Sequence, residues 1–183
     1  MQGIPTSMRA LYIHGLESNG LTQEKSDLLA PLDLSIIAKV YPFKRDKELL
    51  ADIEQDIFEN MPNFLIGSSL GGGLAFYLSN KHNLPALLFN PALHFTRLQQ
   101  YQNIPSVYLK YPKNKLQHVV FGEFDDIITP GTTIDFLSKN YPEDKLDYEI
   151  VIGMQHQIPA SVFAENILSF IENVMTPDSL QKA

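Results

Sequence analysis

The chain has 183 residues, a formal net charge of −7 from 14 Lys and Arg against 21 Asp and Glu, and no cysteine. This length predicts a single domain over residues 1–183, and the absence of cysteine excludes disulfides and thiolate chemistry. The acidic balance argues against binding of nucleic acid or anionic lipid. Without a signal peptide or an apolar run of ~20 residues, we predict a cytoplasmic protein with no membrane span.

Short apolar runs alternate with longer amphipathic ones from the start of the chain. In the first half, strands are predicted at 9–13, 34–41 and 63–67, and helices at 23–32, 46–60 and 70–80. The helix at 46–60 is predicted to bury one face, which carries Leu49, Leu50, Ile53, Ile57, Phe58 and Met61.

The alternation continues in the second half. Strands are predicted at 85–89, 116–122 and 146–152, and helices at 132–140 and 159–175. The segment 94–115 is predicted to form a helix and a loop near a pocket, and it is too short for a large cap domain. Strands that alternate with helices predict an α/β fold of three layers, with about six mostly parallel strands and helices on both faces.

Gly67 to Gly71 read Gly-Ser-Ser-Leu-Gly, which matches the G-x-S-x-G pattern between a predicted strand and a predicted helix. This arrangement is typical of the nucleophile elbow of α/β hydrolases, and it makes Ser69 the candidate nucleophile. A glycine-rich turn that holds a phosphate is the alternative. No lysine follows these glycines, as the phosphate-binding loop would require.

A serine nucleophile needs a base and an acid that orients it, and in this fold both follow later strands in the order serine, acid, histidine. The loop after the fifth predicted strand contains Glu123, Asp125 and Asp126. The loop after the sixth contains His156, which is therefore the candidate general base. A solvated acidic turn and a surface histidine are the alternatives.

The loop after the first strand begins with His14 and Gly15. In this fold it supplies one backbone N–H of the oxyanion hole, from Gly15 or Leu16, and Leu70 after the nucleophile supplies the other. His14 is predicted to be structural, with its ring bonded to backbone. The predicted substrate-binding residues are Leu16, Pro91 and Ile158. No set of metal ligands is visible, so no metal is predicted.

The chain resembles the small bacterial YqiA-type esterases of the α/β-hydrolase superfamily. The resemblance is carried by residues 11–18, by 66–72, by 84–92 with its Leu-Pro-Ala and Asn-Pro-Ala motifs, and by the Gly-x-x-His of 153–156. It implies hydrolysis of a small-molecule carboxylic ester or acyl thioester without a cofactor.

The loop after the fifth strand is similar to a superfamily pattern in which the acid stands three positions after a glycine. Counted from Gly122, this pattern favours Asp125, with Ile127 and Ile128 expected to pack down and anchor the loop. Asp126 lies nearer the N-terminus of the next helix, where a negative charge is favourable. We therefore assign Asp125 to the acid of the triad and a structural role to Asp126.

Together these features predict a serine esterase or thioesterase that works through an acyl-enzyme. Two alternatives remain from the sequence. An amidase or peptidase would use the same triad, and a non-catalytic binding protein can share the same fold.

Overall fold

Six strands form one parallel sheet within the residues that the computed structural model describes, which are 8–43, 49–93, 116–140 and 147–174. The strands are β1 Met8–Ile13, β2 Leu34–Ile37, β3 Phe64–Ser68, β4 Ala86–Phe89, β5 Gln117–Gly122 and β6 Asp147–Val151. Their order across the sheet is β2-β1-β3-β4-β5-β6.

Helices cover both faces of the sheet. They are α1 Gln23–Leu29, α2 Leu49–Asn60, α3 Leu70–His82, α4 Pro130–Asn140 and α5 Ala160–Val174. One apolar core lies between the sheet and α2, α3 and α4, and the other lies between the sheet and α1 and α5. The predicted three-layer α/β fold, with parallel strands and helices on both faces, is therefore confirmed.

The strand order indicates where on the sheet a ligand site is expected. The chain runs outward from β1 to β2 and then returns to place β3 on the other side of β1. In open α/β sheets ligands bind at such a reversal, in the crevice outside the carboxyl ends of the strands. Every residue of β3 and β4 is buried, so packing on both faces holds the ends of these strands in place beside the crevice.

Two predicted elements end earlier than expected. Helix α1 ends at Leu29 instead of 32, because Pro31 has no N–H to continue the helix. Strand β2 ends at Ile37 instead of 41, since the backbone N–H of Tyr41 donates to the ring of His14 and not to the sheet. Other predicted boundaries in the described ranges lie within two residues of those observed.

The predicted apolar face of α2 is partly wrong. Leu49, Ile53 and Ile57 are buried, but Phe58 is 79% exposed and Met61 is 66% exposed. Phe58 lies five positions after Ile53, which turns it ~140° away from the buried face. Positions 46–48, 94–115, 146 and 175 of the predicted elements lie outside the described residues.

Candidate active site

Ser69 stands in the sharp turn between β3 and α3, with φ 53° and ψ −120°. A non-glycine residue rarely adopts this conformation, and the surrounding packing must hold it there. A Cβ at Gly67 would lie 2.6 Å from the carbonyl oxygen of Gly71, and one at Gly71 would lie 2.2 Å from those of Ile13 and His14. Only glycine fits at either position, so α3 begins directly against the end of β1.

Backbone hydrogen bonds to the end of β4 hold the strained serine. The N–H of Ser69 donates to the carbonyl oxygen of Phe89 at 2.9 Å, and the N–H of Ala92 donates to the carbonyl oxygen of Ser69 at 3.0 Å. The main chain of the serine is therefore fixed on both sides, and its side chain projects at the carboxyl end of β3.

The predicted triad residues form a continuous hydrogen-bonded chain. Nε2 of His156 lies 3.0 Å from Oγ of Ser69, and Nδ1 lies 2.8 Å from Oδ2 of Asp125. A carboxylate only accepts hydrogen bonds, so Nδ1 carries the proton. The unprotonated Nε2 then accepts from the serine hydroxyl, which is the arrangement that general-base catalysis needs.

Asp125, and not Asp126, contacts the histidine. The Asp125 side chain is fully buried, and its second oxygen accepts the N–H groups of Ile127 at 2.9 Å and Ile128 at 2.8 Å. These bonds fix the carboxylate in one orientation. Asp126 is exposed. Of the two isoleucines expected to anchor the loop, Ile128 is buried, but Ile127 is 65% exposed because the turn around the carboxylate directs it outward.

His14 is buried and makes two hydrogen bonds to backbone, as predicted. Its Nδ1–H donates to the carbonyl oxygen of Gly15 at 2.7 Å, and its Nε2 accepts the N–H of Tyr41 at 2.8 Å. Because Nε2 must be unprotonated to accept, the ring is neutral. Burial lowers the pKa of His14, and the bond to Gly15 offsets part of that shift.

A buried polar chain that sequence analysis missed extends from this ring to α2. The hydroxyl of Tyr41 donates to Oδ2 of Asp56 at 2.9 Å, and the ammonium of Lys39 pairs with Oδ1. Burial and the Asp56 carboxylate raise the pKa of Tyr41. The sequence carried one signal for this chain of contacts, because Asp56 places a carboxylate on the apolar face of α2, one position before the buried Ile57.

The predicted oxyanion-hole residues lie on two sides of the nucleophile. Leu70 is the first residue of α3, and the first N–H groups of a helix have no partner inside it. A Cβ built on Gly15 would lie 3.2 Å from Cβ of Ser69, so this loop contacts the serine directly. That these segments donate their backbone N–H groups to an oxyanion remains a prediction.

The three predicted substrate-binding residues have different surroundings. Leu16 is half-buried against the core below α2 and α3, whereas Ile158 is half-buried against the core below α1 and α5. Pro91 is buried, and its Cα would lie 3.0 Å from a Cβ at Gly72. Their contact with a substrate remains a prediction.

Within the described parts of the chain, no three His, Asp or Glu side chains group closely enough to hold a metal ion. None of the helices α1 to α5 in those ranges combines the length and the apolar character that spanning a bilayer requires.

Comparison with protein-family models gives a match over more than half of the chain. The family model described as Uncharacterised protein family (UPF0227) matches residues 9–116. A search of curated proteins finds no match.

Solved structures share the fold at low sequence identity. Est1E from Butyrivibrio proteoclasticus is 12% identical, with a TM-score of 0.70, over 92% of this chain and 88% of its own. A predicted CIB-like hydrolase from Thermoplasma acidophilum is 14% identical, with a TM-score of 0.65, over 92% and 88%. A structure from work on the metagenome-derived lipolytic enzymes LipS and LipT is 13% identical, with a TM-score of 0.67, over 92% of this chain and 94% of its own.

Proposed function

The chain belongs to the UPF0227 family, the YqiA family, and on that premise we propose that it is a serine hydrolase of carboxylic esters or acyl thioesters. The observation that carries the proposal is the hydrogen-bonded chain from Ser69 through His156 to Asp125, built on a strained elbow.

Acylation begins when Oγ of Ser69 attacks the acyl carbon of the substrate. Nε2 of His156 takes the hydroxyl proton, and the buried carboxylate of Asp125 stabilises the imidazolium that forms. The carbonyl oxygen becomes an oxyanion, which accepts the backbone N–H of Leu70 and one from Gly15 or Leu16. Collapse of the tetrahedral intermediate breaks the bond to the leaving alcohol or thiol, which receives the proton from His156.

Deacylation reverses the roles of the groups. Water attacks the acyl carbon of the acyl-enzyme while Nε2 of His156 takes its proton, and the same N–H groups hold the second oxyanion. Breakdown returns the proton to Oγ of Ser69 and releases the carboxylic acid. The mechanism requires no metal and no cofactor.

Relatives of the same fold support ester chemistry. Est1E has been crystallised with ferulic acid bound, and LipS and LipT are lipolytic enzymes. Their identity to this chain is low, and amidases share the triad geometry, so the choice of esters and thioesters rests on the resemblance to the YqiA-type esterases.

The direct test uses Ser69→Ala and a fluorophosphonate probe. We expect the wild-type protein to hydrolyse an activated ester and to be labelled at Ser69, because the probe reacts with serines activated by a base. Ser69→Ala should lose labelling and ~10⁴-fold or more of kcat. Mass spectrometry of the labelled peptide identifies the modified serine.

Ser68→Ala is the matched control. The hydroxyl of Ser68 lies 3.1 Å from that of Tyr12 and takes no part in the triad, so its loss should cost less than about tenfold. Equal losses in both variants would refute Ser69 as the nucleophile. A folded wild-type protein that neither labels nor hydrolyses would indicate a binding protein, and a preference for amides over esters would overturn the substrate class.

A further inference from the structure

Asn90, directly after β4, lies between the loop that carries Asp125 and the loop that carries His156. It begins the Asn-Pro-Ala sequence that the family resemblance singled out and that the triad leaves without a role. The residue is fully buried, and its φ is 45°, in the left-handed region. Asparagine is one of the few residues other than glycine that adopt this conformation at modest cost.

The side-chain amide of Asn90 makes hydrogen bonds in both directions. Its Oδ1 accepts the N–H of Gly122 at 2.8 Å, and its Nδ2 donates to the carbonyl oxygens of Gln155 at 3.2 Å and His156 at 3.1 Å. These partners fix the orientation of the amide. If the amide were flipped, its oxygen would face the carbonyl oxygens of Gln155 and His156, and its NH2 group would face the N–H of Gly122.

The partners of Asn90 belong to the two loops that must meet for catalysis. Gly122 opens the loop that carries Asp125, and Gln155 precedes His156. These loops approach so closely that a Cβ at Gly122 would lie 2.5 Å from the carbonyl oxygen of Gln155. The backbone N–H of Asn90 also donates to Val120 of β5 at 2.9 Å. The side-chain amide of Asn90 therefore joins the acid loop and the base loop to the end of β4, which also holds the main chain of Ser69.

We propose that Asn90 is a positioning residue, which holds the backbone of His156 so that its ring reaches Asp125 and Ser69 together. The residue contacts no reacting atom and acts through the main chain of the base. This inference rests on the proposed function and adds to it a structural determinant outside the triad.

The test compares Asn90→Gly with Asn83→Gly. Glycine accommodates a positive φ, so Asn90→Gly removes the amide without imposing backbone strain. Asn83 has φ 54° but is exposed at the end of α3, which makes it a matched control for the glycine itself. We expect kcat on an activated ester to fall on the order of 10²-fold in Asn90→Gly, with KM unchanged, and to stay at the wild-type value in Asn83→Gly.

Proton NMR of the imidazole gives a second readout that does not depend on turnover. The Nδ1 proton of His156, identified by its absence in His156→Gln, should lose its low-field resonance in Asn90→Gly and keep it in Asn83→Gly. If the wild-type protein proves inactive, the proposed function fails, and this resonance still decides whether Asn90 positions the ring.

Asn90→Asp separates positioning from stability, should the glycine variant unfold. It keeps the acceptor for Gly122 but sets a second oxygen against the carbonyls of Gln155 and His156, so kcat should fall as in Asn90→Gly. All rates are measured where circular dichroism shows the variants folded. A lower Tm with wild-type kcat and an intact resonance in either folded variant would overturn the proposal.

Discussion

The loops after β1 and after β6 each place a histidine near Ser69, and the two imidazoles are bonded in opposite ways. The ring of His14 is buried and lies between a backbone carbonyl and a backbone N–H. The ring of His156 is 21% exposed and lies between a carboxylate and a hydroxyl. The partners of His14 fit only a ring with an unprotonated Nε2, whereas the partners of His156 fit the ring with or without a proton on Nε2.

Proton transfer requires that both forms of the ring be accommodated. A proton on Nε2 of His14 would oppose the N–H of Tyr41, and its positive charge would be buried. A proton on Nε2 of His156 would face the serine oxygen, while Asp125 stabilises the charge. Hydrogen-bond partners therefore distinguish a structural histidine from a candidate base where position near the nucleophile does not.

The largest expected difference between the two loops is in turnover. His156→Ala should lower kcat by ~10⁴-fold or more, because it removes the ring whose Nε2 lies 3.0 Å from Oγ of Ser69 and would take its proton. His14→Gln should keep most of kcat, since its side-chain oxygen can still accept the N–H of Tyr41. Steady-state kinetics of both variants on one ester measures this, and a greater loss in His14→Gln would reverse the two roles.

The partner of the His156 ring can be tested separately. Asp125→Asn keeps the shape but removes the charge that holds the tautomer, so kcat should fall by up to ~10⁴-fold. Asp126→Asn, at an exposed neighbouring position, should cost at most about tenfold. Circular dichroism confirms folding of both. If Asp126→Asn is the more damaging, Asp125 is not the acid of the triad.

The His14 loop should show its largest effect in stability. His14→Ala leaves the buried N–H of Tyr41 without an acceptor, which costs ~1–3 kcal/mol of the free energy of unfolding. Loss of the ring also loosens Gly15 against Ser69, so kcat should fall on the order of tenfold. Urea unfolding and steady-state kinetics measure the two effects. Unchanged stability would show that the ring does not hold the loop.

The smallest expected effect is a pH dependence of stability. Burial places the pKa of His14 below its ordinary value of 6.5, so as the pH falls below that value the unfolded chain takes up a proton before the folded one. The free energy of unfolding should therefore decrease from about pH 7 to pH 5. His14→Gln cannot titrate, so its urea midpoint should depend less on pH. Equal slopes would exclude this contribution.

Most of the fold could be predicted from the sequence because local patterns determine it. Apolar runs of strand length and helical periodicity located all the described elements, and chain order indicated that Ser69, Asp125 and His156, which the structure joins by hydrogen bonds, follow β3, β5 and β6. The errors arose where tertiary contacts override the pattern. β2 ends early because Tyr41 bonds to His14, and α2 buries the carboxylate of Asp56, which hydrogen-bonds to Tyr41, among its apolar residues.

The contacts of Asn90 could not be predicted from spacing. Its partners, Gly122 and His156, lie 32 and 66 residues later in the chain, and only the packing of the finished sheet brings them together. The same limit applies to the polar chain from His14 to Asp56. The sequence indicates which groups are chemically able to act, whereas the folded structure determines which of them meet.

The position of β6 at the edge of the sheet has a consequence for synthesis and folding. The nucleophile elbow joins β3 to α3, but His156 stands 87 residues later in the chain, after the last described strand, which lies at the edge of the sheet. An emerging or partly folded chain can therefore form the elbow and still lack its base. Under the proposed function, hydrolysis therefore requires β6 to have paired with β5, because His156 follows that strand.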